Sequence, residues 1–84
     1  MPRYKLTPRA LKQMQKLEME IRRKIFKKLD YFMSSTNPLD FAEPIADPTL
    51  GKYRFRIGDF RVIFDVEGDL YKILIVGDRK DIYR

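Results

Sequence analysis

Between Lys52 and Val76, apolar and polar residues alternate in step with an extended backbone, and this stretch organises the rest of the chain. Lys52, Arg54 and Arg56 fall on one side of a strand, and Tyr53, Phe55 and Ile57 fall on the other. Gly58-Asp59 separates this run from a second, Phe60 to Val66, and a two-residue loop with glycine first suits the primed turns that close hairpins. Counting back from the loop places Ile57 opposite Phe60, Arg56 opposite Arg61, Phe55 opposite Val62, Arg54 opposite Ile63, Tyr53 opposite Phe64 and Lys52 opposite Asp65. Gly68-Asp69 then closes a second hairpin onto Leu70 to Val76, whose run Ile73-Leu74-Ile75-Val76 predicts burial on both faces and a central place in the sheet. A two-residue loop pairs Asp65 with Lys72, whereas a three-residue loop through Glu67 pairs it with Tyr71. Gly77 releases the chain into a charged tail, Asp78 to Arg84.

Upstream the period changes from two to between three and four. Tyr4 to Leu6 is a short alternating run and a candidate first strand. Thr7-Pro8 is a strong helix start, because threonine caps free amides and proline suits the first helical position. Leu11, Met14, Leu17, Ile21, Ile25, Leu29 and Phe32 then form one apolar stripe. An unbroken helix from Pro8 to Met33 would be ~39 Å long, against a diameter of roughly 30 Å for a compact chain of this size. The segment is therefore predicted to break into a helical hairpin near Leu17 to Met19. Ser34 to Pro38 ends the helices, and Leu39 to Gly51, with Pro44 and Pro48, reads as an irregular connection. The expected architecture is a single α+β domain over residues 1 to 84. It has an N-terminal strand at a sheet edge, a helical hairpin and a three-stranded antiparallel meander, with the helices packed on one face of a four-stranded sheet.

Composition narrows the chemistry. The chain has no cysteine and no histidine, which removes disulfides, thiolate metal sites, the commonest general base and the commonest zinc ligand. Asp65, Glu67 and Asp69 surround a hairpin tip without the neighbouring carboxylates of a magnesium site, so neither metal nor cofactor is expected. The N-terminus lacks a signal-peptide core and no run reaches the length of a membrane span, so the expected location is the cytoplasm. The net charge of +6 points to a polyanionic partner. Most of the excess lies in residues 1 to 33, with ten basic and three acidic residues, whereas residues 34 to 51 hold three acidic residues and no basic ones.

One feature of the meander conflicts with simple packing. Arg56 directly opposite Arg61 is a like-charge pair, and such conflicts mark sites more often than scaffold. An anion between the two guanidinium groups would resolve it, since arginine's planar fork fits phosphate oxygens two at a time.

The run Tyr53-Arg54-Phe55-Arg56-Ile57-Gly58-Asp59-Phe60-Arg61-Val62-Ile63-Phe64, followed by Val76-Gly77-Asp78-Arg79-Lys80-Asp81-Ile82-Tyr83, resembles the RelE/ParE superfamily of bacterial and archaeal toxins, specifically its RelE branch. The resemblance extends from the Thr7-Pro8 helix start to Tyr83. It implies a toxin of a type II toxin-antitoxin system, neutralised by a cognate antitoxin, that cuts mRNA in the ribosomal A site without a metal. Carried over residue by residue, the family's basic strand positions match Lys52 and Arg54, its phosphate-binding arginine matches Arg61, its second arginine matches Arg79, and its C-terminal tyrosine matches Tyr83. Arg56 and Lys80 extend the set as RNA-binding cations. Two positions depart from the family: Asp78 stands where histidine or lysine is frequent, and Arg54 where some members have lysine. The chain also stops at Arg84, before the C-terminal helix of some relatives.

In such a reaction the 2′-hydroxyl attacks the adjacent phosphate, so the protein orients the strand, stabilises developing charge and moves protons. Arg61 and Arg79 suit the scissile phosphate, Lys52 and Arg54 its support, and Tyr83 base stacking or proton transfer. The antitoxin is expected to supply an acidic, amphipathic helical segment. Two other functions fit the same fold: a ParE-like, non-enzymatic inhibitor of DNA gyrase, and a catalytically silent antitoxin-binding module.

Overall fold

The computed structural model describes residues 1–83. Strand β1 (Arg3–Leu6) leads through Thr7 into α1 (Pro8–Gln15), and α2 (Met19–Met33) follows after a three-residue break. A 3-10 turn (Pro38–Phe41) precedes β2 (Ala42–Pro44), and then come β3 (Tyr53–Ile57), β4 (Phe60–Glu67), β5 (Leu70–Asp78) and α3 (Arg79–Ile82). The sheet order is β1-β5-β4-β3-β2, with β1 parallel to β5 and the other neighbours antiparallel.

The expected α+β class, the edge position of β1 and the helical hairpin on one face are all present. The Thr7 hydroxyl accepts a hydrogen bond from the Ala10 amide at 3.2 Å, with Pro8 in the first turn, as the helix-start pattern predicts. The break lies at Lys16 to Glu18. It lets the chain fold back within principal extents of 29 × 28 × 23 Å, shorter than an unbroken helix requires.

The sheet differs from expectation by one strand: it has five, not four. The segment expected to be wholly irregular contributes β2, whose residues pair Ala42 with Phe55, Glu43 with Arg54 and Pro44 with Tyr53. Pro44 has no amide hydrogen to donate, which confines it to an edge, and β2 is the edge. Both hairpin registers follow the count from two-residue loops, including Arg56 with Arg61 and Asp65 with Lys72. Gly58 and Gly68 take positive φ of +61° and +60°, as a glycine-first primed turn requires. A bulge near Leu74 then shifts the register, so Ile63 faces Ile75 while Phe64 faces Ile73.

The two faces of the sheet are built differently. On the helix side, Phe55, Phe64, Val62, Ile73 and Val76 bury against Met14, Ile25, Leu29 and Phe32. The rings run in a ladder, Phe32 to Phe55 at 4.5 Å, Phe55 to Phe64 at 4.3 Å and Phe64 to Tyr71 at 5.6 Å. On the other side, Ile63 and Leu74 lie beneath Gly51, and Gly77 lies beneath Ile82 of α3. The segment after β2 is stitched down where the Ile45 amide donates to the Lys52 carbonyl at 3.0 Å and the Lys52 amide donates to the Asp65 carboxylate at 2.9 Å. Arg54, Arg56 and Arg61 occupy the part of this second face that the cover leaves open.

Candidate active site

Period-two alternation puts Arg54 and Arg56 on one face of β3, and the hairpin register brings Arg61 of β4 beside Arg56. The chain returns to this end through α3. Its first residue is tied to the turn by the Arg79 amide, which donates to the Asp59 carbonyl at 2.9 Å. The Asp78 side chain accepts from the Lys80 amide at 2.9 Å and caps α3, so this acidic position orients the helix that carries Arg79 and Lys80. An open groove results, lined by Arg54, Arg56, Arg61, Arg79, Lys80 and Tyr83.

The two arginines of the like-charge pair turn to different protein partners. Arg61 turns toward the hairpin loop, where Nη1 donates to the Gly58 and Phe60 carbonyls at 2.9 Å each. These bonds use two of the five donors that a guanidinium carries. Arg61 is only 7% exposed, so it is part of the buried structure of the hairpin as well as a groove residue. Arg56 points the other way, and its Nε lies 2.9 Å from the Glu43 carboxylate.

Arg54 joins the two walls of the groove. Its Nη1 donates to the Tyr83 hydroxyl at 2.9 Å, and its guanidinium carbon lies 5.6 Å from the centre of that ring. Its Nε is buried 3.7 Å from the Glu43 carboxylate, too far for a hydrogen bond, and has no partner among the described residues. The bond to Tyr83 raises the Arg54 pKa above its ordinary value; burial opposes this, and the charge of Glu43 adds to it.

Of the residues singled out from sequence, Arg54, Arg61, Arg79, Tyr83, Arg56 and Lys80 meet at the groove, and Lys52 does not. Lys52 precedes β3, is exposed, and is fixed through its backbone. Glu43 went unnoticed because it lies in a three-residue strand, too short to display a period. Its one legible signal is that it is an acidic residue within a segment devoid of basic ones. A second cleft, between α1 and α3, is rimmed by Arg9, Lys16, Asp78 and Asp81, and its mixed charge does not concentrate anions.

The family model described as ParE toxin of type II toxin-antitoxin system, parDE, matches residues 4–83. The chain belongs to this toxin family. The match supports its place in the RelE/ParE superfamily and spans β1 to the end of α3, including every groove residue. Among solved structures it is similar to the toxin-antitoxin complex RelBE2 from Mycobacterium tuberculosis, with a TM-score of 0.78 and 22% identity over 90% of this chain and 95% of that one. At that identity the likeness establishes the RelE-like fold. No individually curated protein sequence matches the chain.

Proposed function

We propose that this ParE-family toxin is a ribosome-dependent, metal-independent endoribonuclease that acts on mRNA in the cytoplasm. The observation that carries the reading is the convergence of four arginines, Lys80 and Tyr83 on one open groove. A phenol hydrogen-bonded to an arginine within a cluster of cations suits chemistry on a phosphate, which a surface that only binds gyrase does not require. In this reading Arg61 and Arg79 hold the scissile phosphate and stabilise the charge that builds up on it. Arg61 is preorganised for this by its two carbonyl bonds. The Tyr83 hydroxyl accepts from Arg54, so its own proton remains available for the leaving 5′-oxygen.

The family match favours a second reading, a non-enzymatic inhibitor of DNA gyrase. The two readings separate in one experiment. Purified protein is incubated with ribosomes programmed with a defined mRNA, and in parallel with gyrase in a supercoiling assay. Cuts at A-site codons that disappear in Arg79→Ala support the nuclease; intact mRNA together with inhibited supercoiling supports the gyrase inhibitor.

The proposed antitoxin contributes an acidic amphipathic segment, laid over the basic helices or a sheet edge. The basic excess of residues 1 to 33 and the open edge of β1 support this. It is checked by co-purification with the product of an adjoining acidic reading frame. Toxicity that persists when the two are co-expressed would count against it.

A further inference from the structure

The cations of the groove suit phosphates, and a nucleotide held there must also place its base. Beside the groove an open slot of about 340 Å³ lies between the segment after β2 and the α3 turn, a volume within the range of small-molecule sites. Arg54 and Tyr83 line both spaces, so groove and slot are continuous at the bond between guanidinium and phenol. Past that bond the walls are mainly apolar, with Ile45 and Leu50 from the segment after β2 and Ile82 from α3. Such walls suit the faces of a flat ring, whereas a phosphate buried against them would lose its hydration.

One charged side chain reaches the slot from the segment after β2, and it is Asp47. The Thr49 amide donates to Asp47 Oδ1 at 2.9 Å, and the Thr49 hydroxyl donates to the same oxygen at 2.7 Å. These two bonds fix the carboxylate and hold its pKa below the ordinary value, so it is ionised at neutral pH. Both fall on Oδ1, and among the described residues Oδ2 accepts no hydrogen bond. The Thr49 bonds are those of an ordinary turn, which makes no use of the second oxygen. An ionised carboxylate only accepts hydrogen bonds, so this wall of the slot repels phosphate and recognises N–H groups.

Resting on the nuclease reading, we infer that the slot receives a guanine base next to the scissile phosphate and that Asp47 selects it. Unpaired RNA bases expose their Watson–Crick edges, which proteins read by hydrogen bonds while packing against the ring faces. Guanine presents two adjacent donors on that edge, N1–H and the 2-amino group. In adenine and cytosine the amino donor stands beside a ring-nitrogen acceptor, and in uracil N3–H stands between two carbonyls. Each of these three sets a lone pair against the carboxylate, and guanine meets it with donors. The ring then lies among Ile45, Leu50 and Ile82, with its edge at Asp47 and its phosphate on the groove arginines.

The test is single-turnover cleavage on programmed ribosomes of mRNAs that differ only in the A-site codon, with G, A, C or U placed at each position in turn. Wild-type protein is compared with Asp47→Asn, which keeps an oxygen for the Thr49 bonds and replaces Oδ2 with an amide donor; circular dichroism checks that the variant is folded. For the wild type, guanine at a position adjoining the cut is expected to be cleaved about 5- to 150-fold faster than the other bases. Inosine, which lacks the 2-amino donor, is expected to fall between. Asp47→Asn is expected to lose that ratio while the ratios at the other positions stand. Wild-type protein that cuts with no guanine preference overturns the inference alone. So does an Asp47→Asn variant that keeps the preference, at full or uniformly reduced rate, because Asp47 then serves only its turn. Wild-type protein that cuts no mRNA removes the nuclease reading and the inference together.

Discussion

The two faces of the sheet share the same strands, yet one is closed and apolar while the other is divided along its length. Phe55 and Phe64 on the helix face are fully buried in a stack of rings. Their neighbours along the same strands, Arg54, Arg56 and Ile63, look the other way, and there only Ile63 is fully covered. Alternation places Ile63 beside the arginines on the second face, and the run Ile73 to Val76 adds further apolar residues there, so that face is mixed. What divides it is a pair of late additions, the segment after β2 and the α3 turn, which cover the apolar half and frame the cationic half. The site thus lies where the cover stops, on a platform held from behind by the helix-side core.

Breaking the closed face should have the largest effect. Phe64→Ala removes the centre of the ring ladder and should cost about 3 to 5 kcal/mol, a large share of the ~5 to 15 kcal/mol expected for a whole domain. Denaturant unfolding should show a strongly lowered midpoint, with toxicity lost through the fold. A shift under ~1 kcal/mol would mean that the helix face does not hold the platform.

The covered half of the second face should be the next most sensitive. Gly51 has a φ of +154°, and a Cβ there would lie 2.6 Å from Ile63 Cγ2 and 3.2 Å from Leu74 Cδ1. Gly51→Ala should therefore cost roughly 1 to 3 kcal/mol from overpacking, with backbone strain added. Hydrogen exchange should show the segment after β2 lifting first, since its amide bonds to the sheet are few. Exchange that is unchanged there would mean the cover is not anchored through Gly51.

These comparisons explain what the sequence could and could not reveal. The meander was legible because Gly58-Asp59 leaves one way to pair its flanking runs, while Gly68-Asp69 leaves two, of which the fold takes the two-residue loop that pairs Asp65 with Lys72. The cationic groove was legible as residue types, since Arg56, Arg61 and Arg79 recur around a shared turn. Burial of Arg61 was not, because a period-two pattern assigns a face and says nothing about whether a side chain bends under a loop. Lys52 shows the reverse error: alternation extended the strand by one residue and carried a cation into the site that the fold leaves outside. β2 escaped because three residues ending in proline carry neither a period nor a propensity.

Arg61 sharpens the comparison from the open half. Arg61→Ala removes two bonds from a buried, charged donor and leaves the Gly58 and Phe60 carbonyls without it, so stability should fall by about 1 to 3 kcal/mol. Cleavage by the folded fraction should drop by ~100- to ~1,000-fold. The two losses separate in Arg61→Lys, which keeps the charge but not the fork, when rates are corrected for the folded fraction measured by denaturant titration. Equal rates for Arg61→Ala and wild type would remove Arg61 from the site.

The smallest effect on the fold, and the most informative about the site, is expected from Tyr83→Phe. Tyr83 is 44% exposed, and its hydroxyl makes one bond, accepting from Arg54 at 2.9 Å. Removing that oxygen from a largely solvated position should change stability by no more than ~0.5 kcal/mol. It also removes the main cause of the raised Arg54 pKa. Arginine stays protonated in both the folded and the unfolded chain at ordinary pH, so no dependence of stability on pH should appear. Cleavage should behave otherwise, because phenylalanine keeps the ring and loses the proton. If the hydroxyl protonates the leaving 5′-oxygen, the rate should fall by about 100- to 10,000-fold while binding to the programmed ribosome holds. A ring that only stacks on a base would leave both unchanged. One oxygen atom would then mark the difference between the two faces: on the closed side side chains are kept for their shape, and at the open groove for the protons they hold.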